Sequence, residues 1–267
     1  MDTNSIQYLT AEFAPAQLTS VLANKGYELS LGMQVIYELA RKFLTGSVTR
    51  KVFAVLCELG NVHYVPPSQD LLLAELLQLR LGGKVLNELS TLNRVATRME
   101  LHRLARGLTT EATAFISRRE AEVSIGHGDI AEANKRLANK YFRKHPGSRS
   151  RLKSFGAFRS TLRPVWGDIL RNLCGSWVPP TLLPQVFRRP TDFPALNTWL
   201  NCQLHLAFIS GVLKQRPDQS RLDDYRHVIE SNGADLFVTH DAELRRIFPT
   251  LNPFRPVIAW DEFRAVL

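Results

Sequence analysis

The spacing of apolar residues near the start of the chain switches between a helical and a strand-like period. Ile6, Leu9 and Phe13 recur at intervals of three and four residues, which places them on one face of a helix. The stretch from Tyr27 to Leu31 alternates apolar and polar side chains, as a short strand does. Met33 to Leu44 returns to the helical interval. A strand followed by a turn and a helix is the repeating unit of parallel α/β sheets.

The same switch of period returns near the end of the chain. Gly233 ends a helical stretch, and the run from Ala234 to Thr239 is short and largely apolar, which favours a buried strand. The elements predicted for this part are helices at 222–230, 241–247 and 262–267, and strands at 234–239 and 256–260. We therefore expect both ends of the chain to build one α/β core.

Residues 49–215 show helical spacing almost throughout. A Leu-rich stretch at 70–81 ends at Gly82-Gly83, a pair that favours a helix end, and 196–214 forms the last long helical stretch of this part. The pattern predicts an α/β core made of residues 1–48 and 216–267, interrupted by a large all-helical insertion of residues 49–215.

Composition indicates a globular protein, because 45% of the residues are hydrophobic and 22% are charged. The chain has three cysteines, Cys57, Cys174 and Cys202, and no two of them form a CxxC motif. This argues against a disulfide framework or a cysteine zinc site, and it favours a cytoplasmic location. The opening residues are polar where a secretory signal is basic and then apolar. The uncharged stretch 193–213 contains Asn and His, so we expect a buried helix and no membrane span.

The net charge of +9 is concentrated in one part of the chain. From Ala133 to Gly167, here called the basic segment, there is no Asp or Glu, and aromatic residues such as Tyr141 and Phe155 alternate with the cations. Positive charge neutralises phosphates and aromatic rings stack on bases, so this composition predicts nucleic-acid contact. The alternatives are a solvated helical face or a docking surface for an acidic partner. The residues that we expect to contact nucleic acid are Lys135, Arg136, Lys140, Arg143, Lys144, Arg149, Arg151 and Lys153.

Four acidic residues occupy positions that the predicted order of elements brings together. Asp2 precedes the first helix, and Glu38 lies inside the helix that follows the first strand. Asp224 opens the helix before the strand at 234–239, and Asp241 follows that strand, where ligands collect in parallel sheets. Clustered carboxylates need divalent cations or raised pKa values, and oxygen ligands suit Mg²⁺ or Mn²⁺. For each acid taken singly, helix capping is the alternative.

These acids lie in motifs that resemble those of the PIN-domain family. The motifs are Asp2-Thr3-Asn4-Ser5-Ile6, Tyr37-Glu38-Leu39-Ala40-Arg41, Asp223-Asp224-Tyr225-Arg226-His227 and Ala234-Asp235-Leu236-Phe237-Val238-Thr239-His240-Asp241. The resemblance implies a three-layer α/β fold with a central parallel sheet. It also implies a metal-dependent endoribonuclease, in which Asp2, Glu38, Asp224 and Asp241 are the catalytic and metal-binding residues. Many bacterial family members are toxins held by an inhibitory antitoxin protein, and others process RNA.

Two further residues and two alternative functions complete the expectations. Asn4 and Thr239 are predicted to orient a carboxylate through side-chain hydrogen bonds, with a turn or cap role as the alternative. Asp224 is preferred over its neighbour Asp223 because it gives the Asp-x-Arg-His spacing. Only Met1 precedes the first acid, where the family has a short apolar strand; this motivates a catalytically silent nucleic-acid- or protein-binding adaptor as one alternative. The other is a nuclease of the same fold that acts on DNA, including single-stranded DNA.

Overall fold

The computed structural model describes residues 1–59, 62–82, 95, 98–118, 120–121, 136, 139, 143, 154–215, 217 and 219–267. The helices are α1 (Thr3–Glu12), α2 (Pro15–Asn24), α3 (Met33–Leu44), α4 (Lys51–Glu58), α5 (Ser68–Leu81), α6 (Phe155–Thr161), α7 (Trp166–Cys174), α8 (Pro184–Arg188), α9 (Pro194–Gly211), α10 (Gln219–Glu230), α11 (Ala242–Leu251) and α12 (Trp260–Val266). The strands are β1 (Leu29–Gly32), β2 (Val62–Val65), β3 (Phe237–Thr239) and β4 (Val257–Ala259). Residues 98–105 and 109–118 are also helical.

The helix ends follow the local sequence. Asp2 caps α1 by accepting a hydrogen bond from the backbone N–H of Ser5, and Asp241 caps α11 in the same way, which satisfies N–H groups that have no partner inside the helix. The α5 helix ends at Gly82, whose φ of 72° lies in the left-handed region that glycine adopts without steric cost. The strands predicted near 27–31, 234–239 and 256–260 are present as β1, β3 and β4.

The strands form two separate parallel pairs. β1 pairs with β2 from Leu29 opposite Val62 to Gly32 opposite Val65, and β3 pairs with β4 from Phe237 opposite Val257. The expectation of a three-layer α/β fold with a central parallel sheet is therefore wrong: within the described ranges, helices dominate and each sheet has two short strands. The interruption is not all-helical either, because β2 lies inside residues 49–215.

A cavity lies between the two sheets. It has a volume of about 680 Å³ and is lined by residues of both sides, including Met1, Leu29 and Val238. The start of the chain touches β3 through one backbone hydrogen bond, from the N–H of Asp2 to the carbonyl of Val238 over 2.9 Å. Among the described strands, none spans this gap to pair with both β1 and β3, so the ladders stay apart.

Two hydrophobic clusters hold the molecule together. The first cluster contains residues of α5, α6, α7, α9, α10, α11 and β3. The second contains residues of the four helices α1, α2, α3 and α4, of β1, of the helical residues 98–116 and of the start of α12. Residues from 49–215 contribute to both clusters. Within the first cluster, the buried carboxylate of Glu75 accepts hydrogen bonds of 2.7 Å from the N–H groups of Ala195 and Leu196, which fixes α5 at the start of α9.

The long helix α9 is buried along most of its length, as its uncharged sequence predicts. Its polar side chains find partners in the neighbouring elements. Asn201 donates to the carbonyl of Leu251 over 2.9 Å, and Nδ1 of His205 lies 2.6 Å from the hydroxyl of Tyr225. In the part of the chain that the structure describes, no helix is both long and apolar enough to cross a membrane.

Candidate active site

Asp2 is buried where α1 begins beside the end of β3. Its Oδ1 accepts a hydrogen bond from the N–H of Ser5 over 2.7 Å. Its Oδ2 accepts from Oγ1 of Thr239 over 2.6 Å and from the N–H of His240 over 2.9 Å. Burial raises the pKa of Asp2, but the hydrogen bonds from Thr239, Ser5 and His240 outweigh burial and bring the pKa below its usual value. Asp2 is therefore an ionised, fully oriented carboxylate.

Thr239 connects Asp2 with Asp241. Its Oγ1 donates to Asp2 and accepts from the N–H of Asp241 over 3.0 Å, so the predicted orienting role of Thr239 matches its contacts. Oδ1 of Asp241 accepts from the N–H of Leu244 over 2.8 Å at the start of α11. Among the described residues, no hydrogen bond reaches Oδ2 of Asp241, and the residue is exposed. One oxygen of Asp241 is thus open to a ligand.

Glu38 forms an ion pair with His227. Its Oε1 accepts from Nε2 of His227 over 2.9 Å and from the side chain of Gln34 over 3.1 Å, and its Oε2 accepts from Oγ1 of Thr3. Burial raises the pKa of Glu38, but His227, Thr3 and Gln34 together lower it to about 2. Burial lowers the pKa of His227, and the nearby Glu38 carboxylate reverses this and raises it to about 9. The pair is therefore ionised at neutral pH.

Asp224 lies one helical turn before His227 on α10. Burial raises the pKa of its carboxyl group, the charges of Asp241 and Glu38 raise it further, and His227 and Arg221 oppose them, so that the pKa is about 7. Within the described ranges, no hydrogen bond or ion pair reaches this carboxyl group. A cation beside Asp224 would favour its ionised form, because it would offset both the burial and the repulsion from Asp241 and Glu38.

The open oxygens of Asp224 and Asp241 suit a magnesium or manganese ion. Mg²⁺ is commonly held by one or two carboxylates, with water and substrate oxygens in its other positions. In the described part of the chain, no three His, Cys, Asp or Glu side chains are placed to hold one ion together. Asp224 and Asp241 are therefore the residues that could hold a cation here. They do not form the closed set of four ligands expected from the motifs, since the oxygens of Asp2 and Glu38 already accept hydrogen bonds.

The remaining predicted residues near the site lie apart from these oxygens. Asn4 is on the exposed side of α1, where its Oδ1 accepts from Nζ of Lys42 over 2.7 Å. Asp223 is buried and forms ion pairs with Arg226 and, over 3.6 Å, with Arg41. Asp223 thus fixes α10 against α3 through its ion pairs.

The basic segment is described at few positions. Arg136 and Arg143 are exposed residues with helical backbone. Arg159 donates to Oδ1 of Asn201 over 2.7 Å, and its guanidinium lies 4.6 Å from the ring centre of Trp166, so Arg159 has a packing role. The other predicted nucleic-acid-binding residues lie outside the described residues, namely Lys135, Lys140, Lys144, Arg149, Arg151 and Lys153.

Comparison with known proteins finds no relative. No family model matches the chain, no curated protein matches its sequence and no solved structure matches its fold. The resemblance to the PIN family therefore rests on the four motifs alone.

Sequence reasoning did not find the partners that position Glu38. Thr3 and His227 are both inside the motifs, but they lie 35 and 189 residues from Glu38, a separation that no helical or strand period connects. Gln34 precedes Glu38 by four residues, the spacing at which helix side chains meet. This four-residue interval is the sequence feature from which the contact between Gln34 and Glu38 could have been predicted.

Proposed function

We propose that the chain is a Mg²⁺- or Mn²⁺-dependent nuclease that hydrolyses phosphodiester bonds in RNA. The observation that supports this most is the setting of Asp224, a partly buried carboxyl group without a hydrogen-bond partner in the described structure. Burial, followed by the charges of Asp241 and Glu38, raises its pKa to about 7. Crowded acids with free oxygens disfavour their own ionisation and are suited to sharing a divalent cation. The Asp224 oxygens are not among the buried unpartnered atoms of the described residues, so a cation from solvent can reach them.

The acids divide into two roles in this proposal. Asp224 and Asp241 hold the cation, which supplies positive charge to offset negative charge on the reacting phosphate. Asp2 is a positioning residue, because it fixes Thr239, which in turn bonds the N–H of Asp241. Glu38 is also a positioning residue, because its ion pair with His227 fixes α10 one turn from Asp224.

The proposed substrate and setting follow the charge distribution. The acids repel polyanions, so a separate basic surface is needed to attract RNA over a longer range, and the basic segment has that composition. The same segment would suit an acidic, antitoxin-like inhibitory protein. A cytoplasmic location belongs to the proposal and agrees with cysteines that show no disulfide pairing in the described residues.

Titration calorimetry with Mn²⁺ tests the proposed ion site. Wild-type protein should bind Mn²⁺, and Asp224→Asn and Asp241→Asn should each abolish or strongly weaken that binding. Asp235→Asn is the matched control. Asp235 is an exposed acid near β3, so this substitution makes the same chemical change away from the site. Equal Mn²⁺ binding by all four proteins would exclude these acids as ligands.

A second candidate function is a catalytically silent adaptor that binds nucleic acid or protein. It is favoured by one observation: in the described residues no group of three His, Cys, Asp or Glu side chains could hold an ion, and both oxygens of Asp2 and of Glu38 already accept hydrogen bonds. An adaptor should show no carboxylate-dependent Mn²⁺ binding while still binding RNA or a partner protein. The same calorimetry therefore separates the two candidates.

A further inference from the structure

A cleft of about 560 Å³ opens beside the acid site, between α6, α9, α10 and α11. Its volume is in the range of small-ligand sites. Its two walls differ in chemistry, one being aromatic and the other charged. The residues that define these walls are Phe155, His205 and Phe208 on the aromatic side, and Arg221, Glu243 and Arg246 on the charged side.

The aromatic wall is a packed set of three rings. The ring centre of Phe155 lies 4.8 Å from that of His205 at 74° between the ring planes, and 5.9 Å from that of Phe208. His205 and Phe208 are buried, whereas Phe155 is only partly buried. Phe155 therefore lines the cleft with its ring packed against buried aromatic side chains, an arrangement on which an unpaired base can stack.

His205 is an uncharged member of this wall. Burial lowers its pKa, and the positive charges of Arg221 and Arg246 lower it further, to about 4. Its Nδ1 lies 2.6 Å from the hydroxyl of Tyr225, the residue that follows Asp224. The imidazole is thus neutral at physiological pH, and it links the aromatic wall to the helix that carries the site acid.

The charged wall joins the cleft to the acids. Arg221 lies one turn before Asp224 on α10, and it forms an ion pair of 2.7 Å with Glu243, two residues after Asp241. Arg246 is exposed at the rim of the cleft, and in the described part of the chain it makes no ion pair. A cation at this position suits a phosphate group next to a base held by the aromatic wall.

We propose that this cleft binds one nucleotide unit of a single-stranded polynucleotide, with the base against Phe155 and a phosphate beside Arg246. The assignment of that strand as the substrate rests on the proposed nuclease function, whereas the binding itself does not. Bases in a duplex are stacked and paired, so they cannot enter such a cleft, and single strands are the class of nucleic acid that it selects.

Fluorescence anisotropy with a labelled ten-nucleotide single-stranded RNA, in EDTA to prevent cleavage, measures this binding. A stable strand of the same length without bases should bind wild-type protein about tenfold more weakly, because stacking is lost. Phe155→Ala should weaken binding of the intact strand and reduce its advantage over the abasic strand. Phe155→Tyr keeps an aromatic ring, so it should restore both the affinity for the intact strand and the preference over the abasic strand. Because the abasic strand tests the unaltered protein, the result does not depend on how the variant folds.

The charged wall is tested by a matched pair of neighbours. Arg246→Ala should weaken RNA binding and lower the slope of log K against log salt by about one unit. Arg245→Ala removes the same charge from the adjacent residue, which faces Glu262 at 3.7 Å, and should leave both quantities as in wild type. Equal effects of the two variants would show a general charge effect and overturn the placement of the phosphate.

The proposal is overturned if intact and abasic strands bind wild-type protein equally, or if Phe155→Ala retains the full preference for the intact strand. Neither result tests the proposed nuclease function of the acid site, because Asp224-dependent cleavage is measured in a separate experiment. Conversely, base-dependent binding without Asp224-dependent cleavage would exclude the nuclease and keep the cleft as a binding site for single strands.

Discussion

Nε2 of His227 donates to Oε1 of Glu38 over 2.9 Å, and this contact joins α10 to α3 across 189 residues of the chain. His227 is only 5% exposed, so its charge has little access to water and depends on Glu38. The pair holds α10 in the position that brings Asp224 near Asp241. Stability of the fold and geometry of the acid site are therefore coupled through these two residues.

Replacing Glu38 by Gln should change how stability depends on pH. In wild type, His227 contributes stability fully below its unfolded pKa of 6.5, and the contribution disappears as pH rises through about 9. Glu38 contributes above 4.5, and its contribution disappears as pH falls toward about 2. At pH 6, Glu38→Gln should cost about 2 kcal/mol of unfolding free energy.

Urea unfolding at pH 6, 7.5 and 9 measures this effect. In the Gln variant, the Glu38 charge that raises the pKa of His227 most is gone, and only the charges of Glu230 and Asp2 still oppose burial. The decrease in stability between pH 6.5 and 9 should therefore be clearly smaller than in wild type. Wild type and variant with the same slope over that range would show that the ion pair does not raise the pKa of His227.

Replacing Asp224 by Asn should stabilise the protein at alkaline pH. The carboxyl group binds a proton with a pKa of about 7 when folded and 3.8 when unfolded. Wild-type stability should therefore fall as pH rises from about 4 to 7, because the unfolded state releases its proton first. Asp224→Asn removes this decrease, so its unfolding free energy at pH 8 should exceed that of wild type by about 1–2 kcal/mol, with little difference at pH 4.

Thermal unfolding with and without Mn²⁺ extends the test of Asp224. Saturating Mn²⁺ should raise the melting temperature of wild type and not that of the Asn variant, since an ion that binds only the folded state stabilises it. Asp235→Asn should behave as wild type in both conditions. If Asp224→Asn gave no increase in stability at pH 8, the pKa of Asp224 would not be raised in the folded protein, by burial or by the charges of Asp241 and Glu38.

The sequence was sufficient for the local elements and insufficient for how they assemble. Helical spacing in 33–44 and the Asp-Ala start of α11 are local signals, and both helices are present. The sequence pattern did not predict β2, although Val62, Tyr64 and Val65 favour a strand and Pro66-Pro67 ends it, because four residues between two helical stretches are too few to show a clear strand period. Whether the two strand pairs form one sheet depends on how the helices and strands pack in three dimensions, and no sequence period encodes that packing.

The acid site was predictable to a similar extent. Asp2 and Asp241 could be named from their motifs. Both also cap helices, which is the alternative role that their positions before a helix predicted. The pairing of Glu38 with His227 and the free carboxyl group of Asp224 arise from packing between α3 and α10. Such packing depends on tertiary structure, so sequence alone could name these residues but could not assign ion binding to some and positioning to others.

Gly32 should not tolerate a side chain. A Cβ atom at this position would lie 2.2 Å from Oε2 of Glu230, and this buried carboxylate accepts from the N–H groups of Gln34 and Ser68. Gly32→Ala should therefore lower the unfolding free energy by about 1–3 kcal/mol. Urea unfolding of this variant beside Gly156→Ala gives the contrast, because Gly156 lies in α6 with open space around it, and Ala there should be neutral or slightly stabilising. Equal effects would contradict the close approach of Glu230.

The basic segment should control affinity for RNA without affecting the ion site. Replacing Arg143, Lys144, Arg149 and Arg151 together by Ala should weaken RNA binding and lower the slope of log K against log salt by about one unit for each phosphate that is no longer neutralised. Mn²⁺ affinity should stay unchanged. A quadruple variant that binds RNA with the wild-type affinity and salt slope would remove this segment from the path of the substrate and favour docking of an acidic partner.

The most direct test of the acid site is cleavage of matched single-stranded RNA and DNA by purified protein in Mn²⁺. Wild type and Asp235→Asn should cleave the RNA strand at equal rates and the DNA strand more slowly or not at all. Asp224→Asn should cleave RNA at least about a hundredfold more slowly, since it removes a proposed ligand of the cation. Faster cleavage of DNA would keep the site and change the substrate. Cleavage of RNA by Asp224→Asn at the wild-type rate would contradict the central claim that this carboxyl group belongs to a nuclease site.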